Sequence, residues 1–263
     1  MLTKKQVQQV KALENKKERD LSGTFPAEGD KLVGEILAAG WPIDLLYATA
    51  DWLTLCAERQ WSLPHNVIQV SPTELQRISL LKSPRYVVAV VRKPQTPPLS
   101  RHLFDEWSLF LDTVQDPGNM GTILRIADWF GIRQVVCTPG SADAFQPKVV
   151  QATMGAITRV AVHTLTASAF FSQKALLAPD VPVYGASLQG ENLYGTSFAA
   201  PGVVVMGNES KGILPETARY INRHLFIPPF PPGAETSESL NVAVATAVIC
   251  AEIRRQNLGT LNI

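Results

Sequence analysis

The chain has 263 residues, of which 46% are hydrophobic and 18% charged, with a formal net charge of +1. These values belong to a globular chain long enough for two modest domains, and they exclude disordered and fibrous classes. No apolar run reaches the ~20 residues of a membrane span, and the polar start Met1-Leu2-Thr3-Lys4-Lys5-Gln6 lacks the apolar stretch of a secretory signal, so a cytoplasmic location is expected.

The near-neutral total conceals a basic arm. Lys4, Lys5, Lys11, Lys16, Lys17 and Arg19 stand against Glu14 and Glu18 within the first 19 residues. Such an arm is either a solvated helix face or an attractor of phosphates. Val7, Val10 and Leu13, three residues apart, predict a helix there. Strands are predicted at 43–48, 67–70 and 86–91. Between the last two, Ser71-Pro72-Thr73-Glu74 predicts a helix start, with serine as N-cap, proline in the first turn and glutamate closing a capping box. Three prolines in Lys93-Pro94-Gln95-Thr96-Pro97-Pro98-Leu99-Ser100 then favour an extended connector, which divides the chain into domains at 1–95 and 96–263.

Beyond the connector, short apolar runs at 109–113, 135–138, 160–163, 183–186, 203–206 and 225–227 alternate with helical stretches. This pattern predicts an α/β domain with a mainly parallel sheet covered on both faces. The uncharged segment from Leu240 to Ala251 predicts a helix buried on nearly every side, within one chain or against a second subunit. Cys56, Cys137 and Cys250 form no CxxC pair and read as buried thiols. His65, His102, His163 and His224 are far apart in sequence, and no metal site is expected.

Three stretches carry chemistry. In the first, a strand enters Asp116-Pro117-Gly118, Asn119 is placed to cap a helix from about Met120, and Arg125 follows within two turns. In the second, the strand ending at Met206 opens into Gly207-Asn208-Glu209-Ser210-Lys211-Gly212. A glycine there lets a ligand approach the backbone, and Glu209 adds a carboxylate. In the third, Ile227-Pro228 leads through a proline-rich loop to Ser239, Leu240 and Asn241. Ser239 is a candidate N-cap, and Asn241, if buried in so apolar a helix, requires hydrogen-bond partners.

In this order the three stretches resemble the SpoU (TrmH-like) RNA 2′-O-ribose methyltransferases of the SPOUT superfamily, from about Leu109 to Gln256. Asn119, Gly121 and Arg125 match the family's first motif. Gly207, Glu209 and Gly212 match the second, and Ile227, Pro228, Ser239, Leu240, Asn241 and Val242 the third. The resemblance implies a SPOUT-type α/β domain with a trefoil knot and a homodimer formed through the C-terminal helix. It implies S-adenosylmethionine as cofactor, held by Gly207, Ile227 and Leu240 largely through their backbones, with Met206 and Pro228 beside them. It implies that Arg125 activates a ribose hydroxyl while Asn119, Glu209, Ser239 and Asn241 hold it and the target nucleotide. Residues 1 to about 90 resemble the small L30e-like RNA-binding α/β domain of ribosomal-RNA members. Its entry motif is Arg19 followed by Gly23-Thr24-Phe25-Pro26-Ala27-Glu28-Gly29, and it makes Lys4, Lys5, Lys11, Lys16, Lys17 and Arg19 candidate RNA contacts.

Structured RNA is thus the implied partner, ribosomal RNA ahead of transfer RNA. Pro26 stands where the family usually has an aliphatic residue, the 228–239 loop is longer and richer in proline than the common form, and Ala243 replaces a frequent serine. An inactive RNA-binding protein of the same fold is the alternative. A hydrolase or dehydrogenase lacks support, because neither G-x-S-x-G nor G-x-G-x-x-G occurs.

Overall fold

The computed structural model describes residues 2–84, 86–198, 201–231 and 237–257. In chain order its elements are α1 (Lys4–Ala12), α2 (Lys16–Ser22), β1 (Thr24–Glu28), α3 (Asp30–Ala38), β2 (Ile43–Ala48), α4 (Ala50–Glu58), β3 (Val67–Gln69), α5 (Pro72–Ile78) and β4 (Val87–Arg92). After the connector come β5 (Ser108–Leu111), α6 (Pro117–Trp129), β6 (Gln134–Cys137), α7 (Pro147–Thr153), β7 (Ala161–Thr164) and α8 (Ala167–Leu177). The chain continues with β8 (Val183–Asn192), β9 (Val203–Met206), α9 (Pro215–Ala218), β10 (Arg223–Phe226) and α10 (Val242–Asn257). Two compact units result: 1–95 with 143–158, and 96–142 with 159–263. The segment carrying α7 therefore lies inside the sequence of the second unit but packs with the first.

The first unit is a four-stranded sheet ordered β1-β4-β2-β3. β4 is buried from Val87 to Val91, as befits a strand with neighbours on both sides. β1 is an edge strand, the position where Pro26 costs no ladder hydrogen bond. Ser71 and Glu74 form the predicted capping box at α5.

One expectation fails in this unit. Arg19 is only 2% exposed: its Nη1 donates to the carbonyls of Leu13 (2.8 Å) and Glu14 (2.7 Å), and Nη2 pairs with Asp143 at 2.6 Å. Its guanidinium is spent on closing the turn after α1 and holding the 143–158 segment, so it is not an RNA contact. Lys11 donates to the carbonyl of Ser79 and Lys16 pairs with Asp20, while Lys4, Lys5 and Lys17 are exposed.

The second unit is a six-stranded sheet ordered β10-β8-β9-β5-β6-β7 in which every registered pair is parallel. β5 and β9 are buried at every residue, the run expected of central parallel strands covered on both faces. Phe110, Val203 and Val205 pack with Phe170 and Phe171 of α8. Cys137, alternate to Val136 along β6, meets Met120 of α6 instead. α10 lies along α6, and Arg254 closes the α6 C-terminus by donating to the carbonyls of Phe130 (2.6 Å) and Gly131 (3.2 Å). α10 is not buried all round. Val242, Ala243, Thr246, Ile249, Cys250 and Ile253 face inward, whereas Val244 is 50% exposed. The three cysteines are free and buried, and burial pushes the thiols of Cys137 and Cys250 up to about 12.

Candidate functional site

The open end of a parallel sheet, past the strand C-termini, is where ligands of α/β folds bind. Here β5, β9 and β10 deliver the three motifs to that end. The turn after β5 is capped by Asp116, not Asn119: the Asp116 side chain accepts the Asn119 N–H at 2.8 Å, and Pro117 takes the first helical position. α6 thus begins three residues earlier than the sequence implies. Asn119 falls in its first turn with its amide free to reach outward, and Arg125 lies more than two turns along, exposed.

After β9, Asn208 and Gly212 pair across a tight turn, with hydrogen bonds of 2.9 and 3.0 Å, and Gly212 has φ +66°. The turn is tied to the β5 end by Asn208, whose Nδ2 donates to Thr113 O at 2.8 Å. A Cβ on Gly207 would lie 2.4 Å from the backbone of Gly212. The space that the glycine leaves is therefore filled by the turn itself, and any ligand contact at Gly207 is made by its peptide groups.

The same turn carries Glu209. Its carboxylate accepts Asn119 Nδ2 at 3.0 Å and the backbone N–H groups of Asp116 (3.3 Å) and Gln115 (3.4 Å). Partial burial pulls its pKa up, but these hydrogen bonds outweigh burial and hold the carboxyl below its ordinary value.

From the third motif, Asn241 completes a chain of side chains. Asn241 Nδ2 donates to Asn119 Oδ1 at 2.9 Å, while Asn241 Oδ1 accepts the N–H groups of Ala243 (2.9 Å) and Val244 (3.3 Å). Asn241 rather than Ser239 therefore caps α10, and it is exposed yet paired at both ends of its amide. A carboxylate only accepts, so Glu209 fixes which way Asn119 faces, and Asn119 in turn fixes Asn241. Ser239 is exposed in the loop and Leu240 is 49% exposed. Residues 232–236 of the proline-rich loop lie outside the described residues.

Asp112 carries no signal in the sequence that separates it from an ordinary turn residue. It is fully buried at the end of β5, donates its N–H to Met206 O and accepts the Leu214 N–H, both at 2.8 Å, so it clamps the first motif's strand to the second. Burial raises its pKa against the opposing Leu214 hydrogen bond.

Met206 ends β9 and Gly207 follows it, Ile227 and Pro228 follow β10, and β8 lies between these strands. Ile227 and Pro228, directly after β10, are half-buried, and Leu240 is exposed. Apolar side chains and strand-end peptide groups suit an adenine ring, which needs flat apolar walls and backbone hydrogen bonds. Among the described residues no cluster of three His, Cys, Asp or Glu is placed to hold a metal.

Comparison with known proteins gives concordant results. Residues 106–251 match the model of the SpoU rRNA Methylase family, and residues 4–89 match the MRM3-like substrate binding domain. The 23S rRNA (guanosine(2553)-2′-O)-methyltransferase RlmP of Bacillus subtilis is 29% identical over 253 residues, covering 94% of this chain and 95% of its own. A solved structure described as a putative RNA methyltransferase of the TrmH family from Porphyromonas gingivalis is 41% identical, with a TM-score of 0.84 over 97% of this chain and 99% of that one. The AdoMet-bound rRNA methyltransferase from Sinorhizobium meliloti is 31% identical, with a TM-score of 0.84 over 97% and 96%. With the family model spanning every strand of the parallel sheet and all three motifs, the chain belongs to the SpoU rRNA Methylase family.

Proposed function

We propose that this protein methylates a ribose 2′-hydroxyl of ribosomal RNA with S-adenosylmethionine as donor. The observation that carries the reading is the Glu209–Asn119–Asn241 chain, which joins three distant motifs at the open end of the sheet in a member of this family. The rRNA methyltransferase RlmP matches nearly the whole chain, and the substrate-binding match covers residues 4–89 of the first unit, which favours ribosomal over transfer RNA.

In this reading S-adenosylmethionine supplies an electrophilic methyl group, bound against Met206, Gly207, Ile227, Pro228 and Leu240. Arg125, permanently charged, stabilises the negative charge that develops on the 2′-oxygen. A protonated guanidinium has no lone pair, so Arg125 acts as an electrostatic stabiliser, and the hydroxyl proton passes to water as the oxygen takes the methyl group. Asn119 and Asn241, their orientations set by Glu209, hold the nucleotide with Ser239. Exposed Lys4, Lys5 and Lys17 bind RNA phosphates.

The reading includes a division of labour between an RNA-binding domain at 1–95 and a catalytic domain at 96–263, a trefoil-knotted C-terminal segment, a cytoplasmic location and a homodimer through α10. Val244 and Leu240, each about half exposed, support the dimer. Mapping 2′-O-methyl sites by primer extension in ribosomal RNA from cells with and without the protein tests the function. Loss of one ribose methylation is expected, and an unchanged map contradicts it.

A further inference from the structure

Two local costs converge at the end of β5. Asp112 is fully buried, and among the described residues no cation pairs with it. Burial pushes its pKa up, as does the Glu216 carboxylate, against hydrogen bonds from the Leu214 N–H and the Thr217 side chain. An unneutralised carboxylate in such a place lowers stability, and leucine, with the same branching, would avoid that cost. Thr113, the next residue, has φ +57°, a region that β-branched residues rarely occupy. Neither feature is what stability alone would select, and such outliers gather where function requires a fixed geometry.

Both residues grip the same turn. The registered pairing of β5 with β9 ends at Leu111 and Met206. One step further, the Asp112 N–H donates to Met206 O and its Oδ2 accepts the Leu214 N–H, both at 2.8 Å. A single residue therefore holds the chain immediately before and immediately after the turn at 207–213. A third tie lies inside the turn, where Asn208 Nδ2 donates to Thr113 O at 2.8 Å. Thr113 is itself fixed, since its N–H donates to Thr138 Oγ1 at 2.8 Å. The hydrogen bonds between Asn208 and Gly212 shape the turn but do not set where it stands against the sheet. The ties to Asp112 and Thr113 do. In a trans peptide the N–H points opposite to the carbonyl, so the bond from Asp112 to Met206 O turns the Gly207 N–H away from β5. It then faces the side on which β8 and β10 lie.

We propose that Asp112 is a positioning residue for the cofactor, holding both ends of the 207–213 turn so that the Gly207 peptide groups meet S-adenosylmethionine. The proposal rests on the reading of the protein as a methyltransferase, and it adds to that reading a residue outside the motif positions matched to the family. Asp112 touches neither cofactor nor RNA in this account. It acts through Gly207.

The test uses the full chain and two replacements of the same branched shape. In Asp112→Asn the amide oxygen still accepts the Leu214 N–H, whereas in Asp112→Leu nothing does. Isothermal titration with S-adenosylmethionine should give the asparagine variant an affinity within about twofold of wild type and the leucine variant one about tenfold weaker, the effect of one lost buried hydrogen bond. Turnover at saturating cofactor should stay near wild type in both, so that the leucine variant raises KM for the cofactor with little change in kcat. The leucine variant should also melt within about 4 °C of wild type, because removing the buried carboxylate offsets the unpaired Leu214 N–H. A leucine variant that binds the cofactor as well as wild type overturns the proposal. Equal losses in both variants overturn it too, because the charge and not the hydrogen bond would then be what matters. A leucine variant that melts far below wild type marks Asp112 as a structural residue and likewise overturns it. Failure of the wild-type protein to bind S-adenosylmethionine at all sinks the methyltransferase reading itself.

Discussion

The proposed function gives Arg125, on α6, and Glu209, in the turn after β9, different work. Arg125 is exposed on α6, and in the proposed reading the cofactor is held past β9 and β10 by other residues. Arg125→Ala should therefore bind S-adenosylmethionine nearly as well as wild type while turnover falls about 10²–10³-fold, the usual cost of one preorganised donor. Isothermal titration beside single-turnover kinetics separates the two, and lost cofactor affinity with a normal rate contradicts the assignment. Glu209 instead orients others. Its carboxyl titrates below its ordinary value, so its contribution to stability is present above the unfolded carboxylate pKa of about 4.3 and is lost as pH falls through the lowered value. Glu209→Gln should melt below wild type at pH 7, with the gap closing toward pH 3. A gap that persists in acid shows that the charge is irrelevant.

At the scale of elements, α6 and α10 are set by their caps. Asn241 has two tasks, accepting N–H groups at the start of α10 and donating to Asn119. Asn241→Ala should lose about 1 kcal/mol of stability along with activity. Asn241→Asp should regain the cap but not the activity, because a carboxylate cannot donate to Asn119 Oδ1. Thermal melts and methyl-transfer rates on both variants check this, and an active Asp variant refutes the orienting role.

Local signals of this kind were partly legible. The Ser71–Glu74 box and strand 43–48 follow directly from sequence, and most other strand ends lie within a residue or two of their expected places. The α6 cap was misread because Asp116 and Asn119 are both good caps, and only Pro117 at the first helical position decides between them. β1 went unseen because Pro26 argues against a strand unless it lies at an edge. β8 runs to Asn192, six residues beyond its apolar part, because pairing with β10 resumes after a register shift at an exposed, polar stretch without a strand pattern. The contacts of Asn119 with Glu209 and Asn241 span 90 and 122 residues, a separation that no local pattern encodes.

For the whole molecule, sequence order is not domain order: residues 143–158 pack with the first unit, held by Arg19 to Asp143 and by Phe25 against Phe145 at 5.1 Å. The basic arm read as one surface is likewise divided, with Arg19 structural and Lys4, Lys5 and Lys17 left for a partner. The proposed dimer draws on the exposed side of α10. Val244→Glu should produce monomers in sedimentation at micromolar concentration, and a wild type that sediments as a monomer contradicts the dimer.

The most direct test of ribose methylation uses its chemistry. A 2′-O-methyl group removes the nucleophile that alkali needs to cleave the adjacent phosphodiester. Wild-type protein is incubated with methyl-labelled S-adenosylmethionine and unmodified large-subunit ribosomal RNA, and the RNA is then hydrolysed in alkali. The label should appear in an alkali-resistant dinucleotide, and label confined to mononucleotides, or absent from RNA, would contradict ribose methylation.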